Sequence, residues 1–223
     1  MGRVGVDSCV ELLSRLVATP SVSGNEDGTA AIIADFLAEY GVAPQRCCNN
    51  VWALSRGYDS SKPTLMLNSH HDTVKPAGGY TFDPYCGTVA DGKVLGLGSN
   101  DAGASAVCLM ALFINYYDTT HLPFNLLLAI TAEEETMGER GMRAMLAHFA
   151  EQGIAIDMAI VGEPTAMQAA VGERGLVVLD GVATGKSGHA ARNEGDNALY
   201  KAIEDIALLR DYRFERVSDV LGD

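Results

Sequence analysis

Residues 65–74 have the sequence Leu65-Met66-Leu67-Asn68-Ser69-His70-His71-Asp72-Thr73-Val74, an apolar run followed by two imidazoles and a carboxylate. The apolar run predicts a strand. The strand ends of open α/β sheets often carry the chemistry of such proteins, because a rigid strand fixes the groups that follow it. In the spacing His70-x-Asp72, one side chain can bind a metal ion while the carboxylate supports its other ring nitrogen. By itself, the stretch is also compatible with an ordinary polar turn.

Two further apolar runs end in acidic residues. Residues 124–131 are almost continuously apolar, as expected of a strand buried on both faces, and lead into Glu133-Glu134-Glu135. Residues 157–161 form a shorter apolar run, which Glu163 follows. Adjacent carboxylates repel one another. The three glutamates are therefore either a solvated acidic turn or part of the surroundings of a cation.

The glycine-rich residues 94–103, VLGLGSNDAG, allow two interpretations. A dinucleotide-binding loop is disfavoured, because the third glycine of that fingerprint is missing and no strand–turn–helix unit precedes it in register. Alternatively, the small residues allow a tight turn that places Asp101 at the start of a helix to about Tyr117, where the helix N-terminus favours a carboxylate. Asp101 then joins the three junctions above in a predicted metal site with oxygen and imidazole ligands.

The other periodic segments predict an α/β fold. Apolar residues recur at helical spacing in residues 7–18 and 29–39, and a further helix is expected near residues 139–150. Residues 51–54 predict another strand, which a hairpin-like polar loop at 57–63 separates from the strand at 65–67.

The pattern changes beyond residue 174. Residues 176–183 predict a strand, and a glycine-rich turn and an amphipathic helix containing Ala198 and Leu209 follow. This arrangement predicts one domain over 1–174 and the beginning of a second, α+β domain over 175–223. Gly185-Lys186-Ser187 is similar to the end of a phosphate-binding loop, but position 180 is Asp where that motif needs glycine, so we exclude it.

Composition narrows the class of protein. The chain has 223 residues and a formal net charge of −13, which argues against nucleic acid or anionic membrane as a partner. No apolar run is long enough to span a bilayer, and no signal peptide is visible. The five cysteines lack zinc-finger or redox spacing, which favours reduced thiols in a cytoplasmic protein.

These segments resemble those of the dinuclear zinc amidohydrolases and peptidases, the family of acetylornithine deacetylase, succinyl-diaminopimelate desuccinylase, aminoacylase and glutamate carboxypeptidase. The resemblance covers nearly the whole chain and implies a three-layer catalytic domain with a mixed, mostly parallel sheet, plus the start of a smaller α+β lid or dimerisation domain. The matching motifs are Ser69-His70-His71-Asp72-Thr73-Val74, Gly96-Leu97-Gly98-Ser99-Asn100-Asp101, Thr131-Ala132-Glu133-Glu134-Glu135, Val161-Gly162-Glu163-Pro164-Thr165 and Gly188-His189-Ala190-Ala191.

The resemblance also implies a ligand set for two divalent metal ions, zinc in the first place, with cobalt or manganese as alternatives. His70 and Glu163 are expected to ligate the first ion, Glu135 the second, and Asp101 to bridge both. Asp72 is expected to orient His70.

Three further positions follow from the resemblance. Glu134 is expected to be the general base, and His189 to donate a hydrogen bond to the tetrahedral oxyanion, often across the interface of a homodimer that pairs through the lid. His71 inherits no role.

The chain departs from the family pattern in two places. Gly103 stands where many members carry a lysine. No counterpart of the family's second zinc-binding histidine is found, so the chain is expected to be an amino-terminal portion of an enzyme or a truncated product.

The expected activity is metal-dependent hydrolysis of the amide bond of an N-acyl amino acid, a small-molecule substrate. Residues 69–84 and 172–195 most resemble the acetylornithine deacetylase branch, which implies deacetylation of N-acetylornithine or acetylcitrulline in arginine biosynthesis. A dipeptidase or carboxypeptidase of the same family, or an inactive truncated metal-binding module, remains an alternative.

Overall fold

The computed structural model describes residues 3–173, 175–189, 191–192 and 194–220. Contacts within the chain divide it into two compact units, Met1–Ala166 and Met167–Asp223. The assignment of a catalytic domain to 1–174 and a lid to 175–223 stays a prediction, since compactness does not reveal what a unit does.

The first unit contains four α-helices and seven strands within its described residues. In chain order they are α1 (Val6–Val17), α2 (Asp27–Glu39), β1 (Gln45–Cys47), β2 (Asn50–Leu54), β3 (Thr64–His70), β4 (Thr88–Ala90), β5 (Lys93–Leu95), α3 (Ala104–Tyr116), β6 (Asn125–Thr131), α4 (Met142–Glu151) and β7 (Met158–Val161). The helices and strands predicted for this unit are therefore present, with ends that differ by a few residues.

The main sheet has five strands in the order β1-β2-β6-β3-β7, and β4 pairs only with β5. Strand β6 is parallel to β3, β3 is parallel to β7, and β2 is antiparallel to both β1 and β6. Four strands therefore run in one direction and β2 in the other. This is a mixed sheet, as predicted.

The prediction of a hairpin-like loop between β2 and β3 is wrong. Strand β6 lies between these two strands, so neither pairs with the other. The apolar pattern identifies both strands, but it does not specify which neighbour completes the hydrogen-bond ladder of each.

Side chains of β6 alternate between two buried layers. Leu126, Leu128 and Ile130 contact the cluster formed with α1, α2 and α3, whereas Leu127 and Ala129 contact the cluster formed with α4. Helices therefore cover both faces of the sheet, which makes the predicted three-layer arrangement. A strand buried on both faces can be apolar at successive positions, which explains the continuous run in the sequence.

Truncating the centre of β6 should destabilise the fold strongly. Leu128 is 0% exposed, and we expect Leu128→Ala to lower the free energy of unfolding by about 3 kcal/mol through lost burial and a residual cavity. Urea denaturation measures the change. Leu112 of α3 is 40% exposed, so Leu112→Ala serves as the control. An equal loss in both variants would contradict the assigned burial.

The second unit contains helix α5 (Ala198–Asp211), whose first turn is capped by Asn197 through a 2.9 Å hydrogen bond from Leu199 N. The strand predicted over 176–183 is wrong: these residues form no regular element and are exposed. A strand needs a hydrogen-bonding neighbour, and the described part of this unit offers none to these residues. None of the described helices has the length and apolar character that a bilayer span requires.

Candidate metal centre

The parallel strands of the main sheet deliver three of the predicted segments to one edge. His70 is the last residue of β3 and lies beside Thr131, the last residue of β6. Strand β7 pairs with β3 up to Asn68 opposite Val161. The segments that follow the three strands therefore start at the same edge of the sheet, and they carry His70, the glutamate run and Glu163.

His70 lies at the centre of this group. Its ring is 1% exposed, and Nε2 is 3.1 Å from Asp101 Oδ1, 3.8 Å from Glu134 Oε2 and 3.9 Å from Glu163 Oε2. One buried imidazole nitrogen thus faces three carboxylates that come from different segments of the chain.

The cluster fits a divalent cation. Ligand atoms of His70, Asp101 and Glu163 lie within 4.8 Å of one another, the one such group found among the described residues. An imidazole with carboxylates is a donor set that zinc, cobalt and manganese bind. These three residues could therefore hold a metal ion.

Two carboxyl groups of this cluster, those of Glu135 and Glu163, have raised pKa values, because they are partly buried and other negative charges lie close to them. Burial raises the pKa of Glu135, and the charges of Asp101, Glu134 and Asp72 raise it further against the opposing effect of His70. Burial also raises the pKa of Glu163, and the charges of Glu134, Asp101 and Glu135 add to this effect against His70. A bound cation would relieve this repulsion.

Asp72 supports the other side of the His70 ring. His70 Nδ1 is 3.3 Å from Asp72 Oδ1 and 3.1 Å from the backbone oxygen of Asp72. A proton on Nδ1 can donate to these oxygens, which leaves Nε2 free to face the carboxylate group. Burial lowers the pKa of His70, but the hydrogen bond and charge of Asp72, with the charges of Glu163 and Glu134, outweigh it and raise this pKa to about 9.

Asp72 is itself fully hydrogen-bonded. It accepts from Ser23 Oγ at 2.7 Å, from Glu134 N at 3.0 Å and from Glu135 N at 3.1 Å. Burial raises the pKa of Asp72, but His70, Ser23 and the two backbone amides outweigh burial and leave that pKa lowered. The residue thus stays ionised while it holds both the histidine and the acidic turn.

We expect Asp72→Asn to weaken metal binding by about 10- to 100-fold, because the amide removes the charge that supports His70. Competition with a chelator of known affinity measures the dissociation constant. Asp59 also accepts hydrogen bonds from a serine hydroxyl and a backbone amide, both of Ser61, but it is exposed. Asp59→Asn is therefore the matched control. Parent affinity in Asp72→Asn would rule out the supporting role.

Asp101 lies in an irregular turn, Ser99–Gly103, three residues before α3 begins. The turn starts after Gly98, which has φ +79°, and a Cβ there would lie 2.6 Å from Thr73 Cγ2. Only glycine meets both conditions without strain. The sequence pattern predicts a helix that begins at Asp101 itself, but α3 begins at Ala104, so the carboxylate comes from the turn rather than from the helix.

The position of Glu163 is fixed by contacts of the preceding residue, Gly162. Gly162 N donates to Asn68 O at 2.7 Å, and Ser69 Oγ donates to Gly162 O at 2.8 Å. A Cβ on Gly162 would lie 2.9 Å from both Ser105 Cβ and Leu109 Cδ1. The end of β3 therefore holds the backbone that carries Glu163.

The three adjacent glutamates have different environments. Glu133 Oε2 accepts from Arg140 N at 3.0 Å, so this side chain is used by its own loop. Glu134 reaches towards His70, and Glu135 donates its amide to Asp72. The interpretation as a purely solvated acidic turn does not describe this segment.

His71, which has no role by resemblance, belongs to the buried support of the site. Its Nδ1 is 2.8 Å from Thr29 Oγ1, and its Nε2 is 3.1 Å from Asn49 O. Burial lowers its pKa to about 4, against the opposing effects of Asn49, Asp72 and Glu26, so the ring is neutral near pH 7. Glu26 and Ser23 could not be identified as site residues from the sequence, because they lie in a polar stretch that contains no recognisable motif. His189 lies in the second unit, where its Nδ1 accepts from Ala191 N at 3.2 Å.

The first unit is therefore an α/β fold, with a mixed sheet covered by helices on both faces and a candidate metal site of an imidazole and carboxylates at its strand ends. Residues 66–219 match the model of peptidase family M20/M25/M40, which is most of the chain. The chain belongs to this family, as the motifs predicted.

Similar curated proteins are desuccinylases. Succinyl-diaminopimelate desuccinylase 2 of Ruegeria sp. (strain TM1040) is 30% identical over 212 residues, 88% of this chain and 52% of that protein. Succinyl-diaminopimelate desuccinylase of Paracoccus denitrificans (strain Pd 1222) is 32% identical over 193 residues, 81% of this chain and 50% of that protein. The chain thus spans about half the length of these relatives.

Solved structures share the fold. Aminopeptidase PepT from Bacillus cereus ATCC 10987 has a TM-score of 0.58 at 18% identity and matches 98% of this chain and 60% of its own. Human carnosine dipeptidase 1 has a TM-score of 0.54 at 22% identity and matches 70% of this chain and 38% of its own.

The prediction that the chain is nearest to the acetylornithine deacetylase branch, with a role in arginine biosynthesis, is not supported. The similar curated proteins named above are succinyl-diaminopimelate desuccinylases instead.

Proposed function

We propose that the protein containing this chain is a metal-dependent amidohydrolase that cleaves the amide bond of an N-acyl amino acid, with an N-succinylated diamino acid as the first candidate substrate. The observation that carries the proposal is the buried His70 imidazole, which faces Asp101, Glu134 and Glu163 within 3.9 Å. The names of the similar curated proteins support the choice of acyl group.

The proposed roles follow the chemistry of amide hydrolysis. His70, Asp101 and Glu163 would hold one divalent ion, and Asp101 with Glu135 would contribute to a second. The chemistry that bound divalent ions supply is Lewis acidity towards a water molecule and the scissile carbonyl. Zinc is the first candidate, and cobalt and manganese are alternatives, because a site of one imidazole and several carboxylates does not by itself select one of these ions.

Glu134 is the proposed general base. Its carboxylate lies beside His70 but takes no part in the three-residue metal group, so it is free to accept a proton. It would remove the proton of the attacking water and deliver it to the leaving amine, which must be protonated to depart.

Residues from 175 onwards are proposed to begin a lid and dimerisation domain. His189 would stabilise the oxyanion of the tetrahedral intermediate by donating a hydrogen bond. Two copies would pair through this domain. These roles rest on the family resemblance of the motif at 188–191.

A substrate panel tests the proposal. The full-length gene product, loaded separately with zinc, cobalt and manganese, is assayed on N-succinyl-diaminopimelate, N-acetylornithine, N-acetylcitrulline and a set of dipeptides. We expect the highest kcat/KM for the succinylated substrate. Preference for dipeptides would make the protein a peptidase, and metal binding without hydrolysis of any compound would make it a metal-binding module.

A further inference from the structure

Glu26 is a buried carboxyl group that no step above uses. It directly precedes α2 and is 0% exposed. Its Oε1 accepts from Gly24 N at 2.5 Å and from Glu133 N at 3.2 Å, and its Oε2 accepts from Asn49 Nδ2 at 2.9 Å. Glutamate is almost never fully buried unless its oxygens are satisfied. Here three N–H donors satisfy them, and no ion pair with Glu26 occurs in the described part of the chain.

The contact with Glu133 completes a pattern along the acidic turn. Three successive backbone amides donate to buried carboxyl groups: Glu133 N to Glu26, and Glu134 N and Glu135 N to Asp72. Glu26 comes from the start of a helix and Asp72 from the end of β3. Hydrogen bonds to two separate elements, the start of α2 and the end of β3, therefore fix the turn that carries the proposed base.

The hydrogen bond to Glu26 matters for Glu133 because the backbone of Glu133 is in the left-handed region, with φ +55°. Residues other than glycine seldom adopt this conformation, and it persists only where the surroundings determine it. The hydrogen bond to Glu26 constrains the amide of Glu133, and the bond from Arg140 N constrains its side chain. This conformation sets the direction in which the chain, and with it Glu134, leaves β6.

The same network reaches the strand that carries His70. Asn49, which donates to Glu26, lies with its backbone oxygen 3.1 Å from His71 Nε2. Thr29 Oγ1 lies 2.8 Å from the other nitrogen of that ring. Glu26 therefore connects the segment after β6 with the segment after β3, through its hydrogen bonds with Glu133 and Asn49 and the contact of Asn49 with His71.

We propose that Glu26 is a positioning residue: by holding Glu133 N, it keeps Glu134 and Glu135 in register with His70 and Asp101. The kinetic consequence rests on the function proposed above, whereas the geometric consequence does not. An amide at this position cannot accept on both sides, because it has one acceptor oxygen and one donor NH2 group. In Glu26→Gln, the NH2 group must face either Asn49 Nδ2 or the two backbone amides.

Asn125→Asp is the matched control. Asn125 is 2% exposed and begins β6, at the opposite end of that strand from Glu133. Its Nδ2 donates to Asp59 O, Lys62 O and Thr64 Oγ1 at 2.9, 3.1 and 3.3 Å. This exchange also disrupts a buried hydrogen-bond set without changing side-chain size, but it touches nothing at the site.

The experiment compares both variants in the full-length protein loaded with Co²⁺, below their melting temperatures. We expect both to melt earlier, but only Glu26→Gln to change the visible absorption of bound Co²⁺ and to lower kcat by about tenfold or more with KM nearly unchanged. A parent spectrum and parent kcat in Glu26→Gln would overturn the proposal, as would equal changes in Asn125→Asp.

Two outcomes need a second measurement. If Glu26→Gln does not fold, Asn49→Ala removes the side-chain donor to Glu26 Oε2 and should shift the Co²⁺ spectrum in the same way, whereas a parent spectrum would reject the positioning role. If the parent hydrolyses no amide, the proposed function fails, but the comparison of Co²⁺ spectra still decides the role of Glu26.

Discussion

Glu134→Gln should lower kcat by about 1,000-fold while the metal content stays at the parent value, because a glutamine cannot accept the proton of the attacking water. The side chain lies 3.8 Å from His70 Nε2 but is not part of the His70–Asp101–Glu163 group. The substitution therefore removes a proton acceptor and leaves those three residues intact. Steady-state kinetics and metal analysis by atomic emission on the same sample measure both quantities.

Glu139→Gln is the control for this experiment. Glu139 lies five positions further along the chain and forms an exposed ion pair with Arg143 at 2.7 Å. Exposed pairs of this kind contribute little to stability, so this variant should match the parent. Retained turnover in Glu134→Gln would reassign the base to another group, and loss of metal would show that Glu134 is a ligand.

Asp101→Ala should have the largest effect on metal binding. Asp101 Oδ1 is the carboxylate oxygen nearest to His70 Nε2, at 3.1 Å, and Asp101 is proposed to serve both ions. Loss of a residue that supports a ligand weakens metal binding by up to about 100-fold, and removal of Asp101 should weaken it further. We expect the purified variant to contain almost no metal, measured by equilibrium dialysis against Zn²⁺.

Asp118→Ala controls for the loss of an acidic residue. Asp118 forms an exposed ion pair with Arg56 at 3.0 Å, outside the metal group. This variant should retain the metal content of the parent. Loss of one ion only in Asp101→Ala would replace the bridging role with ligation of a single ion, and unchanged stoichiometry would remove Asp101 from the site.

Much of the first unit could be predicted because its signals are local. A residue run such as 124–131 is apolar at successive positions because β6 is buried on both faces, and the structure confirms this burial. His70 and the glutamate run could be singled out for a related reason: parallel strands end at a common edge, so chemistry placed after each strand meets there.

The wrong predictions concern strand pairing, because a local apolar pattern does not specify which segment pairs with it. The run at 176–183 has the composition of a strand but no neighbour in the described residues, and β2 pairs with β6 rather than with β3. Strand pairing joins segments far apart in sequence, and an apolar pattern carries no information about which segment will be adjacent.

The sequence by itself determined the α/β class, the family and the residues that could bind metal. Apolar strand patterns and metal-ligand residue types can each be recognised within a short stretch of consecutive residues. Only the tertiary structure decided that Asp72 and Glu26 together hold the three glutamate amides and that His71 lies in the support beneath them. Those hydrogen bonds join residues up to 107 positions apart. They form only after the sheet has brought the start of α2 and the ends of β3 and β6 together, so no local pattern could have predicted them.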